Sequence, residues 1–266
     1  HYPYHPNGRG FDEFFGFCGG HWNNYFDTTL DHNGKPVKTR GYIADILTDA
    51  AITFIEEKRN RPFFCYLAYN TPHAPNQVPD RYFDKYKRRG LDDQLACIYG
   101  MVENIDDNVG RLLKRLDELD LANDTIVLFL TDNGPNSDRY NGGMRGRKGS
   151  VDEGGVRVPL FVRWPGHIKA GSEIKQIAGH IDLLPTILDL CQVEKPTQGK
   201  DGGAPLPLDG ISLAPLLTGA AKQLPDRTIF FHRTSAQGVQ HAPGSARTQR
   251  YRLMITPKRN DLYDMI

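Results

Sequence analysis

The feature that most constrains the fold is a long amphipathic segment between two short apolar runs. From Asp92 to Leu119, apolar residues recur at alternating steps of three and four, which gives a helix one unbroken apolar stripe. The stripe consists of Leu95, Ile98, Val102, Ile105, Val109, Leu112, Leu116 and Leu119. The flanking runs, 63–68 and 125–130, are apolar without alternation, as in strands covered on both faces. A helix between two such strands is typical of a βαβ unit, so the sequence predicts an α/β fold with a parallel sheet.

Further helices and strands are predicted on both sides of this unit. The carboxylate of Asp182 is expected to cap the helix that follows it. After Arg227 the pattern changes to short strands without long helices between them, which indicates a small antiparallel subdomain. The predicted segments are helices at 46–55, 183–190 and 211–217 and strands at 158–162, 228–232 and 251–256.

Composition excludes several classes of function. The formal net charge is +1, so no global field attracts nucleic acid or an anionic membrane. No apolar run reaches the roughly 18–20 residues that span a bilayer. The four cysteines form no C-x-x-C pair and are too few for a disulfide scaffold. We therefore expect a globular protein with no nucleic-acid partner and no membrane span.

Polar residues directly follow the apolar run 125–130. Asp132 and Asn133 stand there, before Gly134. Ligands of open α/β sheets collect at the carboxyl ends of strands. A carboxylate beside an amide offers two hard oxygen ligands, which suit Ca²⁺ or Mg²⁺. The same tripeptide is also ordinary turn chemistry, so two interpretations stay open at this point.

Two further residues could act on an anion. His73 follows the run 63–68, and an imidazole can bind an anion or transfer a proton near neutral pH. Lys148 lies among glycines, where its ammonium could neutralise a tetrahedral oxyanion. The alternatives are a structural loop histidine and a solvated basic loop. Together with Asp132 and Asn133, these residues could stabilise charge on a transferring sulfuryl or phosphoryl group.

Several segments resemble signatures of the type I, formylglycine-dependent sulfatases. Residues 131–135 resemble the metal-binding signature around Asp-Asn-Gly, and residues 149–159 resemble the segment G-x-x-x-E-G-G-x-R-x-P. Residues 70–75 resemble the T-P-H-x-P loop. Residues 5–6, 10–14, 116–123 and 262–264 also resemble family segments. The matches occur in the order that the family has and cover nearly the whole chain.

The resemblance implies an alkaline-phosphatase-like α/β fold, with a mostly parallel sheet flanked by helices, and an arylsulfatase-like sulfuric ester hydrolase activity. Asp132 and Asn133 would be ligands of Ca²⁺, in preference to Mg²⁺. His73 and Lys148 would bind the substrate sulfate, and either could protonate the leaving alcohol. The substrate would be a sulfated small molecule or a sulfated carbohydrate. The implied localisation is periplasmic, secreted or lysosomal.

The nucleophile motif of the family does not occur in these residues. Family members carry C-x-P-x-R or S-x-P-x-R, whose first residue is oxidised to formylglycine, and no cysteine or serine here has that context. We expect the motif in a segment before residue 1. Residues 1–225 would then be a partial catalytic domain, residues 226–266 the start of a small C-terminal subdomain, and this chain alone inactive.

Two alternatives to a sulfatase remain open. One is a phosphoesterase or phosphonate hydrolase of the same superfamily, which a serine or threonine nucleophile would favour. The other is a non-catalytic anion-binding protein on a degenerate hydrolase fold.

Overall fold

The computed structural model describes residues 3–195, 197, 203–204, 207–235 and 238–266. The chain divides into two compact units, His1–Thr125 and Ile126–Ile266, which we call the first and the second unit. The domain boundary expected between residues 225 and 226 stays a prediction. None of the described helices is long and apolar enough to cross a bilayer.

The first unit combines helices with a small antiparallel sheet. Its helices are α1 (Ile43–Lys58), α2 (Asp80–Lys87) and α3 (Asp93–Glu118), with short 3-10 turns at Pro6–Arg9 and Ala122–Asp124. Its strands are β1 (Phe15–Gly16), β2 (Thr29–His32) and β3 (Lys35–Lys38), paired in that order. Asp92 caps α3 by accepting a 2.8 Å hydrogen bond from the backbone N–H of Leu95. The long helix predicted from the apolar stripe is therefore present.

The buried face of α3 is centred differently from the predicted stripe. Met101 and Asn104 are fully buried, whereas Val102 of the stripe is 47% exposed. Gly100 lies on the buried face, where a methyl group would stand 3.1 Å from Cβ of Tyr82. Gly100 therefore lets α2 pack closely on α3, where a larger residue would press against the Tyr82 backbone.

A polar network joins α1 to α3. Asn104 and Asn108 are both fully buried and donate hydrogen bonds of 2.8 and 2.7 Å to Oδ1 of Asp45. The side-chain carbonyl of Asn108 in turn accepts a 2.8 Å hydrogen bond from the guanidinium of Arg111. Buried amides need partners, so this single carboxylate oxygen fixes how the two helices meet.

The apolar segment 63–68 forms no hydrogen-bonded strand with the described residues, so this part of the predicted βαβ unit is wrong for them. Phe63, Cys65 and Leu67 are half-buried, whereas Phe64 and Tyr66 are 58% and 74% exposed. Alternate burial is the pattern of an extended segment with one covered face. A continuous apolar run is compatible with burial of both faces of a strand. It does not identify which other strand would pair with it.

The apolar run 125–130 of the second unit forms a strand, but its partner differs from the one expected. β4 (Val127–Leu130) pairs antiparallel with β5 (Leu160–Arg163), so that Val127 faces Arg163. All sheets formed by the described residues are antiparallel, which corrects the prediction of a mostly parallel sheet. The physical reason is that the chain leaves β4 through a long loop and returns beside it in the opposite direction.

The remainder of the second unit is a set of short helices and a C-terminal sheet. The helices are α4 (Glu153–Val156), α5 (Leu183–Leu190) and α6 (Ala214–Leu217), with a 3-10 turn at His180–Asp182. The strands β6 (Ile229–Ser235), β7 (Gly238–Arg247), β8 (Tyr251–Ile255) and β9 (Asn260–Asp264) form an antiparallel meander in chain order. The antiparallel C-terminal strands predicted from the sequence are thus confirmed.

Asp182 has a different role from the predicted helix cap. Its carboxylate is fully buried and accepts bonds from the backbone N–H groups of Gly179 (2.7 Å) and Ile211 (3.0 Å) and from the Arg227 guanidinium. Burial acts to raise the pKa of Asp182, but the bonds from Arg227 and the two N–H groups outweigh it and lower the pKa. The carboxylate therefore ties the turn before α5 to residues 211 and 227, which lie far along the chain.

Replacement of Asp45 tests the network between α1 and α3. We expect Asp45→Ala to lower the free energy of unfolding by about 2 kcal/mol, because it removes the carboxylate acceptor that the buried Asn104 and Asn108 amides share. The measurement is urea unfolding followed by circular dichroism. Asp106→Ala removes an exposed acid from α3 and is the control. Equal urea midpoints for the two variants would contradict this role of Asp45.

Candidate functional site

The turn after β4 presents two oxygen atoms to solvent. Oδ1 of Asp132 accepts a 2.8 Å bond from the backbone N–H of Asn133, and Nδ2 of Asn133 donates a 3.0 Å bond to the carbonyl of Gly134. Oδ2 of Asp132 and the amide oxygen of Asn133 take no part in these two bonds and are available as ligands for a cation. The carbonyl of Thr131, one residue earlier, accepts a 2.9 Å bond from Nε2 of His180, which holds the turn in place.

Glycine backbone packs against glycine backbone directly behind this turn. The N–H of Gly134 donates a 3.0 Å bond to the carbonyl of Gly155, and a Cβ at Gly134 would stand 1.8 Å from the carbonyl oxygen of Gly154. A Cβ at Gly154 would likewise meet the carbonyl of Gly146 at 2.3 Å. No side chain fits at these contacts. We call this contact between residues 134 and 154–155 the glycine junction.

Lys148 belongs to the same loop as Asp132 and Asn133. Its backbone N–H donates a 2.8 Å bond to the carbonyl of Pro135, two residues after Asn133. Its side chain is exposed, and no carboxylate among the described residues pairs with its ammonium group. The neighbouring Arg145 and Arg147 are paired, by contrast, with Asp152 and Asp138 respectively. Of these three cations, Lys148 is the one available to an anionic ligand.

The sequence did not indicate that the C-terminal sheet supports this loop. Arg252 of β8 is 3% exposed; it donates to the carboxylate of Glu153 and to the carbonyl of Val151. Ser245 of β7 adds a 3.1 Å bond to the same carbonyl. Burial lowers the pKa of Arg252, and the negative charge of Glu153 opposes that shift. Glu153 therefore anchors the loop to the C-terminal sheet.

His73 lies in the first unit, on a loop that its neighbours hold firmly. Its Nδ1 bonds the carbonyl of Ala74 at 2.7 Å, so Nδ1 carries the proton and Nε2 is available to a ligand. The hydroxyl of Tyr25 donates a 2.9 Å bond to the His73 carbonyl. Burial raises the pKa of Tyr25, which keeps this hydroxyl protonated as a donor. The hydroxyl of Thr71, in the same loop, is buried without a partner among the described residues.

The donor chemistry of Asp132 and Asn133 fits Ca²⁺, but the number of donors is too small to complete its coordination. Ca²⁺ takes six to eight oxygen ligands, and these two residues offer a carboxylate and an amide oxygen. In the part of the chain that the structure describes, no three His, Cys, Asp or Glu side chains cluster closely enough to hold a metal ion. A calcium ion bound here would need further ligands.

The structure thus brings three of the four predicted site residues onto one loop. Asp132, Asn133 and Lys148 share the segment that the glycine junction closes, whereas His73 lies in the other unit. The expectation that all four line one sheet edge stays a prediction.

Comparison with known proteins identifies the family to which this chain belongs. Residues 1–193 match the family model described as Sulfatase, and residues 147–266 match the model described as N-sulphoglucosamine sulphohydrolase, C-terminal. The first match covers most of the chain, so the chain belongs to the sulfatase family. The resemblance seen in the sequence motifs is therefore confirmed.

Individual relatives agree with this assignment. The chain is 35% identical to the uncharacterized sulfatase YdeN of Escherichia coli (strain K12), over 84% of this chain and 40% of that protein. It is 33% identical to arylsulfatase A of Homo sapiens, over 75% of this chain and 36% of that protein. The chain thus spans less than half the length of these relatives.

Solved structures show the same fold. Ps i-CgsB in complex with k-i-k-neocarrahexaose is 29% identical, with a TM-score of 0.87 over 99% of this chain and 62% of that chain. BT4656 in complex with its substrate D-glucosamine-2-N,6-O-disulfate is 21% identical, with a TM-score of 0.75 over 96% of this chain and 70% of that chain. The chain therefore has the mixed α/β fold of sulfatase structures.

Substitution of Gly134 tests the glycine junction. We expect Gly134→Ala to destabilise the protein by about 1–3 kcal/mol, because the added methyl group forces backbone segments apart. Thermal unfolding followed by circular dichroism measures the effect. Gly110→Ala, whose methyl group meets nothing within 4 Å, should raise stability by up to about 1 kcal/mol as the matched control. An unchanged melting temperature for Gly134→Ala would show that the junction is not tightly packed.

Proposed function

We propose that the chain contributes the metal-binding and sulfate-binding residues of a sulfuric ester hydrolase of arylsulfatase-like type. The observation that carries this proposal is the loop 131–155. It closes on the glycine junction and holds two oxygen donors and the ammonium of Lys148. A preorganised loop with these groups can stabilise negative charge as it develops on a reacting ester, without reorganisation during the reaction.

Each site residue has a distinct role in this proposal. Asp132 and Asn133 would hold Ca²⁺, which supplies positive charge to polarise the sulfate oxygens. Lys148 would bind the sulfate as a point charge. His73 would bind a sulfate oxygen through Nε2, the ring nitrogen that its bond to Ala74 leaves available. Lys148 or His73 would protonate the leaving alcohol.

The nucleophile is not assigned to any of these residues. The formylglycine precursor motifs C-x-P-x-R and S-x-P-x-R do not occur in the 266 residues. Hydrolysis is therefore proposed for the full-length protein, in which these residues act together with a nucleophile that they do not supply, and not for this chain alone.

A sulfated carbohydrate is the proposed class of substrate. The structures of Ps i-CgsB and BT4656 are complexes with a neocarrahexaose and a glucosamine disulfate, respectively. The first is 29% identical to this chain and matches almost all of it. A saccharide ester also offers hydroxyl groups beside the sulfate, which exposed imidazole, amide and carboxylate side chains can recognise.

A phosphoester or phosphonate hydrolase is the second candidate. The phosphonate monoester hydrolase SpPMH from Silicibacter pomeroyi shares the fold, with a TM-score of 0.63 at 20% identity. Likeness at this level concerns the fold alone. Membership of the sulfatase family favours the sulfate ester over the phosphate ester. A non-catalytic anion-binding protein would keep the ligand sites and lack turnover.

Removal of Asp132 tests the calcium site. Two protein oxygens leave most of the coordination shell to water, so we expect a dissociation constant of about 1 mM or weaker for Ca²⁺. Asp132→Ala should weaken binding about tenfold or more, because it removes the only negative charge of the pair. Asp138→Ala removes an exposed carboxylate from the same loop and should bind Ca²⁺ like the wild type. Isothermal titration calorimetry distinguishes the two, and equal affinities would refute the assignment of Asp132.

Replacement of Lys148 tests the proposed reaction in the full-length protein. We expect the full-length protein to hydrolyse 4-nitrocatechol sulfate. Lys148→Ala should lower kcat/KM about 100-fold, because it removes a charge that stabilises the transition state. Lys222→Ala, an exposed lysine of the same unit, is the control. Assays with 4-nitrophenyl phosphate run in parallel. Faster turnover of the phosphate would favour the second candidate, and turnover of neither ester would favour the non-catalytic protein.

A further inference from the structure

A second histidine stands beside His73. The ring centroids of His21 and His73 are 4.9 Å apart, with 39° between the ring planes, and both residues are exposed. Among the described residues, the His21 ring takes part in no hydrogen bond or ion pair. Both of its nitrogen atoms are therefore available to a ligand, next to the available Nε2 of His73.

Buried tyrosines hold the loops of the two histidines together. Tyr25, four residues after His21, donates hydrogen bonds to the carbonyls of His73 (2.9 Å) and Ala74 (3.2 Å). Its own N–H donates a 2.9 Å bond to the side-chain carbonyl of Gln77, and the hydroxyl of Tyr42 donates a 2.8 Å bond to the backbone carbonyl of Gln77. The pairing of the two loops is thus built into the core of the first unit.

The residue after His21 fixes the other side of its loop. The indole of Trp22 stacks on Phe17 at 5.1 Å and donates a 2.8 Å bond to the hydroxyl of Thr28. The N–H of His21 donates a 3.0 Å bond to the carbonyl of Gly19. The backbone of His21 is therefore anchored while its imidazole contributes nothing to the core. An exposed ring on an anchored backbone suits ligand recognition better than a role in stability.

We propose that His21 is a second substrate-binding residue, which hydrogen-bonds a hydroxyl group of a sugar next to the sulfate that His73 binds. The inference rests on the function proposed above and deepens it. A sulfate ester and the hydroxyl on the adjacent ring carbon can engage two imidazoles that stand 4.9 Å apart. A simple aryl sulfate has no such hydroxyl and would contact His73 alone. His21 would accordingly select saccharide esters over aryl esters.

Nuclear magnetic resonance titration of the isotopically labelled chain tests this inference. The probes are galactose 4-sulfate, which has a hydroxyl next to the sulfate, and phenyl sulfate, which has none. We expect galactose 4-sulfate to shift the imidazole signals of both histidines, and phenyl sulfate to shift those of His73 alone. His21→Asn should weaken galactose 4-sulfate binding about fivefold and leave phenyl sulfate binding unchanged.

Two further variants complete the experiment. His21→Gln keeps an amide donor on a longer side chain and should recover part of the lost affinity. His167→Asn, an exposed histidine that stacks on Trp164, is the matched control and should bind both probes like the wild type.

The outcomes separate the inference from the proposed function. Unchanged galactose 4-sulfate affinity in His21→Asn, with His73 still shifted by both probes, overturns the role of His21 and leaves the proposed function standing. No shift of His73 with either probe contradicts the proposed function itself, and the inference with it.

Discussion

The contact of glycine backbone with glycine backbone is the constraint on which the candidate site depends. Gly134 follows the two oxygen donors directly, and Gly155 accepts its N–H, so the turn after β4 cannot move without the segment that leads into β5. The same closure brings the backbone of Lys148 onto Pro135. Backbone packing, in place of a side-chain core, thus fixes the position of this loop. The charged and polar groups of the site therefore stand on a constrained backbone.

Local patterns in the sequence predicted much of the fold. The stripe of α3, the apolar run at β4 and the short C-terminal strands are each determined by residues close together in the chain, and each is present. Strand pairing depends on residues far apart. The run at 63–68 therefore read as a paired, doubly covered strand, although it makes no ladder with the described residues, and β4 pairs with β5 in the antiparallel direction. Hydrophobic periodicity also does not predict the two asparagines on the buried face of α3, because their burial depends on a carboxylate in another helix.

The same division between local and distant information holds at the site. The sequence alone predicts the motif around Asp132 and Lys148. The glycines between these residues allow the close backbone contacts that shape the loop. The sequence does not predict the residues that support this loop. Arg252 and Ser245 stand about a hundred positions after Val151, in ordinary strand sequence. His21 stands in an aromatic and polar stretch of sequence that suits a sugar site or a structural loop equally well. Its significance comes from its distance to His73, which no spacing in the sequence encodes.

The bond from Arg252 to the carbonyl of Val151 has a consequence for how the protein is made. The two residues are 101 positions apart, so loop 131–155 leaves the ribosome long before its support does. At the rate of about 5–20 residues per second at which chains are synthesised, that interval lasts roughly 5–20 seconds. During it the glycine junction can close, but the carboxylate of Glu153 has no guanidinium from β8. The finished loop therefore forms well after its own residues are translated, when β8 joins the C-terminal sheet.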